Sequence, residues 1–101
     1  MSLHQIVIPE KQIAAFCSAN GILRLALFGS ILRDDFRPDS DVDVLVEFQP
    51  GARVGYLAMA RMARELAGML GRTVDLRTAA ELHPAFRDEV IKQALTQYAA
   101  A

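Results

Sequence analysis

The spacing of apolar residues changes along the chain, and each change marks an element. From Pro9 to about Asn20 the apolar positions Ile13, Phe16 and Cys17 fall on one helical face. Pro9 brings a ready helical backbone angle to the first position, and Gly21 supplies a left-handed stop. Ile22 to Phe28 is an aliphatic-rich run, predicted to be a strand entering the core. Gly29 and Ser30 end it and open a short helix or turn. Arg33 to Ser40 is polar, contains Pro38 and reads as a loop. Val42 to Phe48 then alternates, with Val42, Val44 and Val46 on one side and Asp41, Asp43 and Leu45 on the other, the mark of a strand. Pro50 and Gly51 form a turn. From about Val54 to Leu70 the period becomes helical, with Met59, Met62, Ala63, Leu66 and Leu70 facing the core and Gly71 as the cap. Thr73 to Leu76 is a short strand. Pro84 opens a last helix through about Tyr98, with Phe86, Val90, Ile91 and Leu95 as its apolar side, and Ala99 to Ala101 is a tail that frays.

This order predicts an α+β fold of two layers, a small mixed sheet of about three strands backed by helices. A length of 101 residues suits one domain spanning residues 1–101. The net charge of −1 argues against an affinity for nucleic acid built on massed Lys and Arg, so direct nucleic-acid binding is not expected. Arg24 and then Arg33, Asp34 and Asp35 interrupt the apolar stretches, which excludes a membrane-spanning helix. Cys17 is the sole cysteine and reads as a buried small residue, so neither an intrachain disulfide nor a thiolate metal cluster is available. No secretory leader is evident, and the expected location is the cytoplasm. His4 carries no chemical signal. His83, ahead of a proline, reads as a cap, and Tyr56 and Tyr98 read as packing residues.

The chemistry concentrates in Gly29-Ser30 and in Asp41-Val42-Asp43. Asp41 and Asp43 share a face of the predicted strand, their Cα atoms roughly 6.5 Å apart. Two carboxylates that close repel one another unless a cation lies between them. Mg²⁺ takes oxygen ligands and is held by one or two carboxylates together with substrate phosphates. Gly29, without a Cβ, lets a phosphate approach the backbone, and the Ser30 hydroxyl and neighbouring N–H groups can hold its oxygens. Asp75, flanked by Val74 and Leu76, is a third carboxylate. If its strand lies beside that of Asp43, the set could hold two metal ions about 3.5–4 Å apart, with Asp75 as ligand or general base. Each feature alone has a plainer reading, as a strand-ending turn or a solvated carboxylate. Their joint occurrence favours a nucleoside-triphosphate site.

The combination resembles the DNA polymerase β-type nucleotidyltransferase superfamily, and more closely its minimal nucleotidyltransferase family. That family includes MntA-type antitoxins paired with HEPN-domain toxins. The likeness runs from about residue 22 to the end, and rests on Gly29-Ser30, Arg33, Pro38-Asp39-Ser40-Asp41-Val42-Asp43, Leu45-Val46-Glu47-Phe48 and Gly71-Arg72-Thr73-Val74-Asp75-Leu76. The resemblance implies a polymerase β-like core. It implies ATP as substrate and Mg²⁺, as two ions, on Asp41, Asp43 and Asp75. It places the triphosphate on Gly29 and Ser30, with Arg33 and Ser40 as further nucleotide-side candidates. As bare residues, Arg33 reads equally as solvated or paired with Asp34 or Asp35, and Ser40 as a loop organiser. Leu32 and Asp34 depart from the small residue and the glycine usual in the family. The activity implied is transfer of AMP to a tyrosine of a helical partner, a HEPN-type toxin. The alternative is an antitoxin that acts by occlusion, through exposed apolar surface on the last helix or the Val54–Leu70 helix.

Overall fold

Along the chain a short antiparallel pair, β1 (Ser2–Leu3) and β2 (Ile6–Val7), precedes helix α1 (Glu10–Ala19) and strand β3 (Ile22–Phe28). A single 3-10 turn, Gly29–Leu32, leaves β3, and a loop leads to strand β4 (Val42–Phe48). Helix α2 (Tyr56–Leu70), strand β5 (Val74–Thr78), a second 3-10 turn (Ala79–Glu81), helix α3 (Pro84–Gln93) and strand β6 (Leu95–Ala99) complete the order. This computed structural model describes residues 2, 3 and 6–100, with side chains from residue 6 onward. His4 and Ala101 lie outside the described residues.

The main sheet has four strands in the order β5-β4-β3-β6. β3 runs antiparallel to both neighbours, and β4 and β5 are parallel. A parallel pair needs a long crossover, and α2 provides it. The helix starts at Tyr56 and stops at Gly71, whose φ of 68° is the left-handed cap expected from the sequence. Gly21, after α1, likewise has φ 66°.

Strand alternation explains where the core lies. Val42, Val44 and Val46 face Leu25, Leu27, Val74 and Leu76 across the ladders. All are buried, together with Ile13, Phe16 and Cys17 of α1 and Met62, Leu66 and Leu70 of α2. One face of the sheet is thus the core, covered by two amphipathic helices. Burial pushes the Cys17 thiol up to about 11, the behaviour of a small core residue rather than a reactive one. Residues of opposite parity (Asp43 and Leu45 on β4, Asp75 and Arg77 on β5) point to the other face.

That second face departs from expectation in its covering. The last helix ends at Gln93, because Ala94 takes φ −59° and ψ 135°, outside the helical region. The chain then extends and pairs with β3, Ala26 opposite Thr96 and Leu25 opposite Tyr98. The sheet therefore gains a fourth strand, and Ala99 belongs to it; the next N–H, of Ala100, donates to the Leu23 carbonyl at 2.8 Å. Pairing with the open edge of β3 outweighs the local helical spacing of Val90, Ile91 and Leu95. No residue of α3 is buried, and Phe86 is 64% exposed. Tyr56, read as a packing residue, is 88% exposed. Tyr98 does pack against the core. No helix among the described residues is long and apolar enough to cross a membrane.

Candidate active site

Three strand positions meet where β3 ends. Asp43 on β4 is opposite Phe28 on one side and Asp75 of β5 on the other. The residue after Phe28 is Gly29, with φ 76°. An L side chain is strained there, and a Cβ at this position would run into the Asp43 carboxylate at Oδ2. Glycine is therefore required by the backbone angle and again by the carboxylate against it.

Asp43 is half-buried, and its carboxyl is held above the usual range. Burial is the largest cause, followed by the negative charges of Asp75 and Asp41; Arg77 and Arg33 pull the other way without cancelling it. The shift reports excess negative charge around a partly desolvated acid. Asp41 is exposed and sits one residue ahead of β4. Asp75 is engaged by Arg77, whose Nε donates to Oδ1 at 3.0 Å and whose Nη2 donates to Oδ2 at 3.4 Å. Among the described residues no three ligating groups already meet in cation-holding geometry. The set nonetheless fits a hard divalent cation. Its donors are all carboxylate oxygens, and the mutual repulsion recorded at Asp43 is what such a cation relieves.

The other sequence candidates lie around this point. Ser30 is half-buried in the 3-10 turn, and its carbonyl accepts the Arg33 N–H at 2.9 Å. Arg33 is exposed and its side chain pairs with Asp35, not Asp34, at 3.1 Å. Gly29, Leu32 and Arg33 line an open cavity of about 620 Å³, walled opposite by His83 and by Phe86 and Val90 of α3. His83 caps that helix, Nδ1 accepting the Ala85 N–H at 3.0 Å, as its place before Pro84 suggests. Leu32 also packs partly against the core. The Ser40 hydroxyl accepts the Arg37 N–H at 2.9 Å, which makes it a loop organiser here.

Residues 9–96 match the nucleotidyltransferase domain family. The chain belongs to that family. A Methanocaldococcus jannaschii protein that bears the name of a protein adenylyltransferase is 32% identical over 95 residues, covering 94% of this chain and 97% of the relative. A solved structure described as a minimal nucleotidyltransferase superposes with a TM-score of 0.69 at 35% identity, covering 85% of this chain and 86% of that one. The four-stranded mixed sheet with its helices is the nucleotidyltransferase fold. A structure of the tri-AMPylated Shewanella oneidensis HEPN toxin with its MNT antitoxin matches with a TM-score of 0.64 at 22% identity, over 90% of this chain and 70% of that one, a likeness of fold.

Two arginines of this nucleotidyltransferase carry roles that sequence reasoning missed. Arg72 donates through Nη2 to the carbonyls of Arg37 and Ser40, at 2.7 and 2.6 Å, and lies over the Phe36 ring at 4.6 Å. It ties the loop ahead of Asp41 to the start of β5, in parallel with the Val42 N–H donated to the Thr73 carbonyl at 2.8 Å. Its signal was a charged residue directly after the capping Gly71. Arg77 had no signal beyond sharing the parity of Asp75 on its strand.

Proposed function

We propose that this chain is a Mg-ATP-dependent adenylyltransferase that transfers AMP to a hydroxyl, a tyrosine, of a HEPN-type toxin and so acts as its antitoxin in the cytoplasm. The observation that carries this reading is the placement of Asp43 between Gly29 and Asp75. Support for the acceptor comes from the protein adenylyltransferase name of the Methanocaldococcus jannaschii relative and from the AMPylated toxin in the Shewanella oneidensis complex.

In this reading residues 1–101 act as one domain. Asp41, Asp43 and Asp75 hold two Mg²⁺ ions, which when bound neutralise triphosphate charge and acidify the acceptor hydroxyl. Gly29 admits the triphosphate against the backbone, and Ser30 and Arg33 bind its oxygens. Ser40 acts from the loop that presents Asp41. The acceptor oxygen forms a bond to the α-phosphorus while the bond from that phosphorus to the α,β-bridging oxygen breaks. Pyrophosphate leaves, and the hydroxyl proton passes to Asp75 or to solvent beside it. The partner docks on the exposed apolar side chains flanking the site, Tyr56 and Leu57 of α2 and Phe86 of α3. Those same side chains favour a second reading, neutralisation by occlusion alone.

The deciding experiment is the intact mass of the co-purifying partner before and after incubation with Mg-ATP. A gain of whole AMP units that is absent with Asp43→Asn supports transfer. An unchanged mass in a complex that stays intact supports occlusion and sinks the enzymatic reading.

A further inference from the structure

Arg77 is not needed to hold the fold. It is exposed, its strand is the edge of the sheet, and an exposed ion pair adds little to stability. Yet its guanidinium spans both oxygens of Asp75, the carboxylate in register with Asp43. The two residues share one face of β5, so the contact is an alternation neighbour that forms without any loop having to order. Beyond Arg77, Glu81 adds negative charge in the same groove, while its own Oε1 accepts from the Thr78 N–H and hydroxyl at 3.0 Å each. The guanidinium therefore has acidic company on both sides and open solvent to move through.

We propose that Arg77 is a positioning residue that occupies Asp75 while the site is empty and yields it only when cation and triphosphate arrive together. The inference rests on the metal-site reading above. A guanidinium that spans both oxygens of Asp75 takes lone pairs a divalent cation would use and repels its charge, so Arg77 competes with the cation. Once displaced, the same fork suits phosphate oxygens, which it can grip in pairs as it grips Asp75. The arginine thus opposes binding of the metal alone and favours binding of the metal with its nucleotide. The site is biased against free cations and towards the substrate complex.

The test compares Mn²⁺ alone with Mn²⁺ plus a non-hydrolysable ATP analogue, on the full chain, by paramagnetic resonance of free Mn²⁺ and by calorimetry. Arg77→Gln is expected to bind Mn²⁺ alone about tenfold more tightly, the size of one unit charge removed about 6 Å from a dication in water. The same variant is expected to bind the analogue with Mn²⁺ severalfold more weakly. Arg77→Lys, which keeps the charge and gives up the fork, falls between native and Arg77→Gln in both. Equal Mn²⁺ affinity in native and Arg77→Gln, or a change of the same sign for both ligands, overturns the proposal. So does Arg77→Lys behaving as the native chain throughout. Asp43→Asn placed in the Arg77→Gln background separates the two levels of argument. Mn²⁺ binding that survives it removes the metal-site reading itself. Mn²⁺ binding that it abolishes, with no effect of Arg77→Gln, removes only the role given to Arg77.

Discussion

Gly29→Ala probes the backbone and the carboxylate at once, and the two effects differ in size. At φ 76° an alanine costs about 1–2 kcal/mol in left-handed strain. In a domain of this length that lowers the melting temperature by roughly 4–16 °C. The added methyl also meets Asp43 Oδ2. This atom is the end of a short side chain, so the carboxylate can rotate away with little further loss of stability. Moving it is what matters for chemistry, since displacement of a reacting or ligating group by about 1 Å costs on the order of 100-fold in rate. The expected outcome is a folded, moderately destabilised protein with AMP transfer down about 100-fold, read as the rate of mass gain on the partner. Double-mutant analysis sharpens it. In an Asp43→Ala background the methyl meets no carboxylate, so the stability cost of Gly29→Ala should stay close to the strain alone, as in the native background. Transfer within a few-fold of native in Gly29→Ala would refute the claim that Asp43 must lie against residue 29.

Arg72→Ala should leave the core intact and loosen the loop before Asp41, because it removes hydrogen bonds to the Arg37 and Ser40 carbonyls and a ring contact with Phe36. Faster hydrogen exchange across residues 37–42, with a loss of about 1–3 kcal/mol or less in stability, is the expected pattern; unchanged exchange would count against it. Asp43 has a pH signature with a definite sign. Its folded pKa lies above the ordinary 3.8, so the stability it contributes is complete below that value and is lost as pH rises through the folded one. Without divalent cations, Asp43→Asn should therefore melt higher than the native chain at pH 7, by an amount that shrinks as pH falls towards 3.8. Parallel melting curves across that range would show that the charge crowding is absent. The Cys17 thiol, fully buried and raised to about 11, should resist alkylation in the native protein and react at once in denaturant; native reactivity would show that α1 does not seal it.

How much was legible depended on how far each feature reaches along the chain. The strands β3, β4 and β5 and the helices α1 and α2 could be read from the sequence, because each buries a regular stripe and all but β5 end next to or near a glycine or a proline. The 95–99 segment could not. Leu95 continues the spacing of Val90 and Ile91, and only the open edge of β3 turns the segment into a strand. The same pairing explains the exposure of α3: with the chain required to reach β3 by Leu95, the helix stops at Gln93 without burying a residue. Tyr56 was misread for a related reason. It begins α2, ahead of the stripe that Met62, Leu66 and Leu70 bury.

The site divides in the same way. Gly29, Asp43 and Asp75 were visible as acidic and glycine positions at strand ends, because strand alternation projects them to a common face. Their neighbours Arg72 and Arg77 were not, since an arginine in sequence says nothing about which of several acids or carbonyls it will reach. Arg77 contacts an acid directly, whereas Arg72 contacts carbonyls of the loop ahead of Asp41. Arg72 fixes the loop that delivers Asp41, and Arg77 covers Asp75. This arrangement follows from electrostatics. Crowded carboxylates on a small domain raise one another's pKa unless cations are near, and among the described residues the positive charges that lower the Asp43 pKa are the guanidinium groups of Arg77 and Arg33. In the proposed metal site, Arg77 is a removable positive charge of this kind. It covers Asp75 in the empty state, and its release is the loading step proposed above.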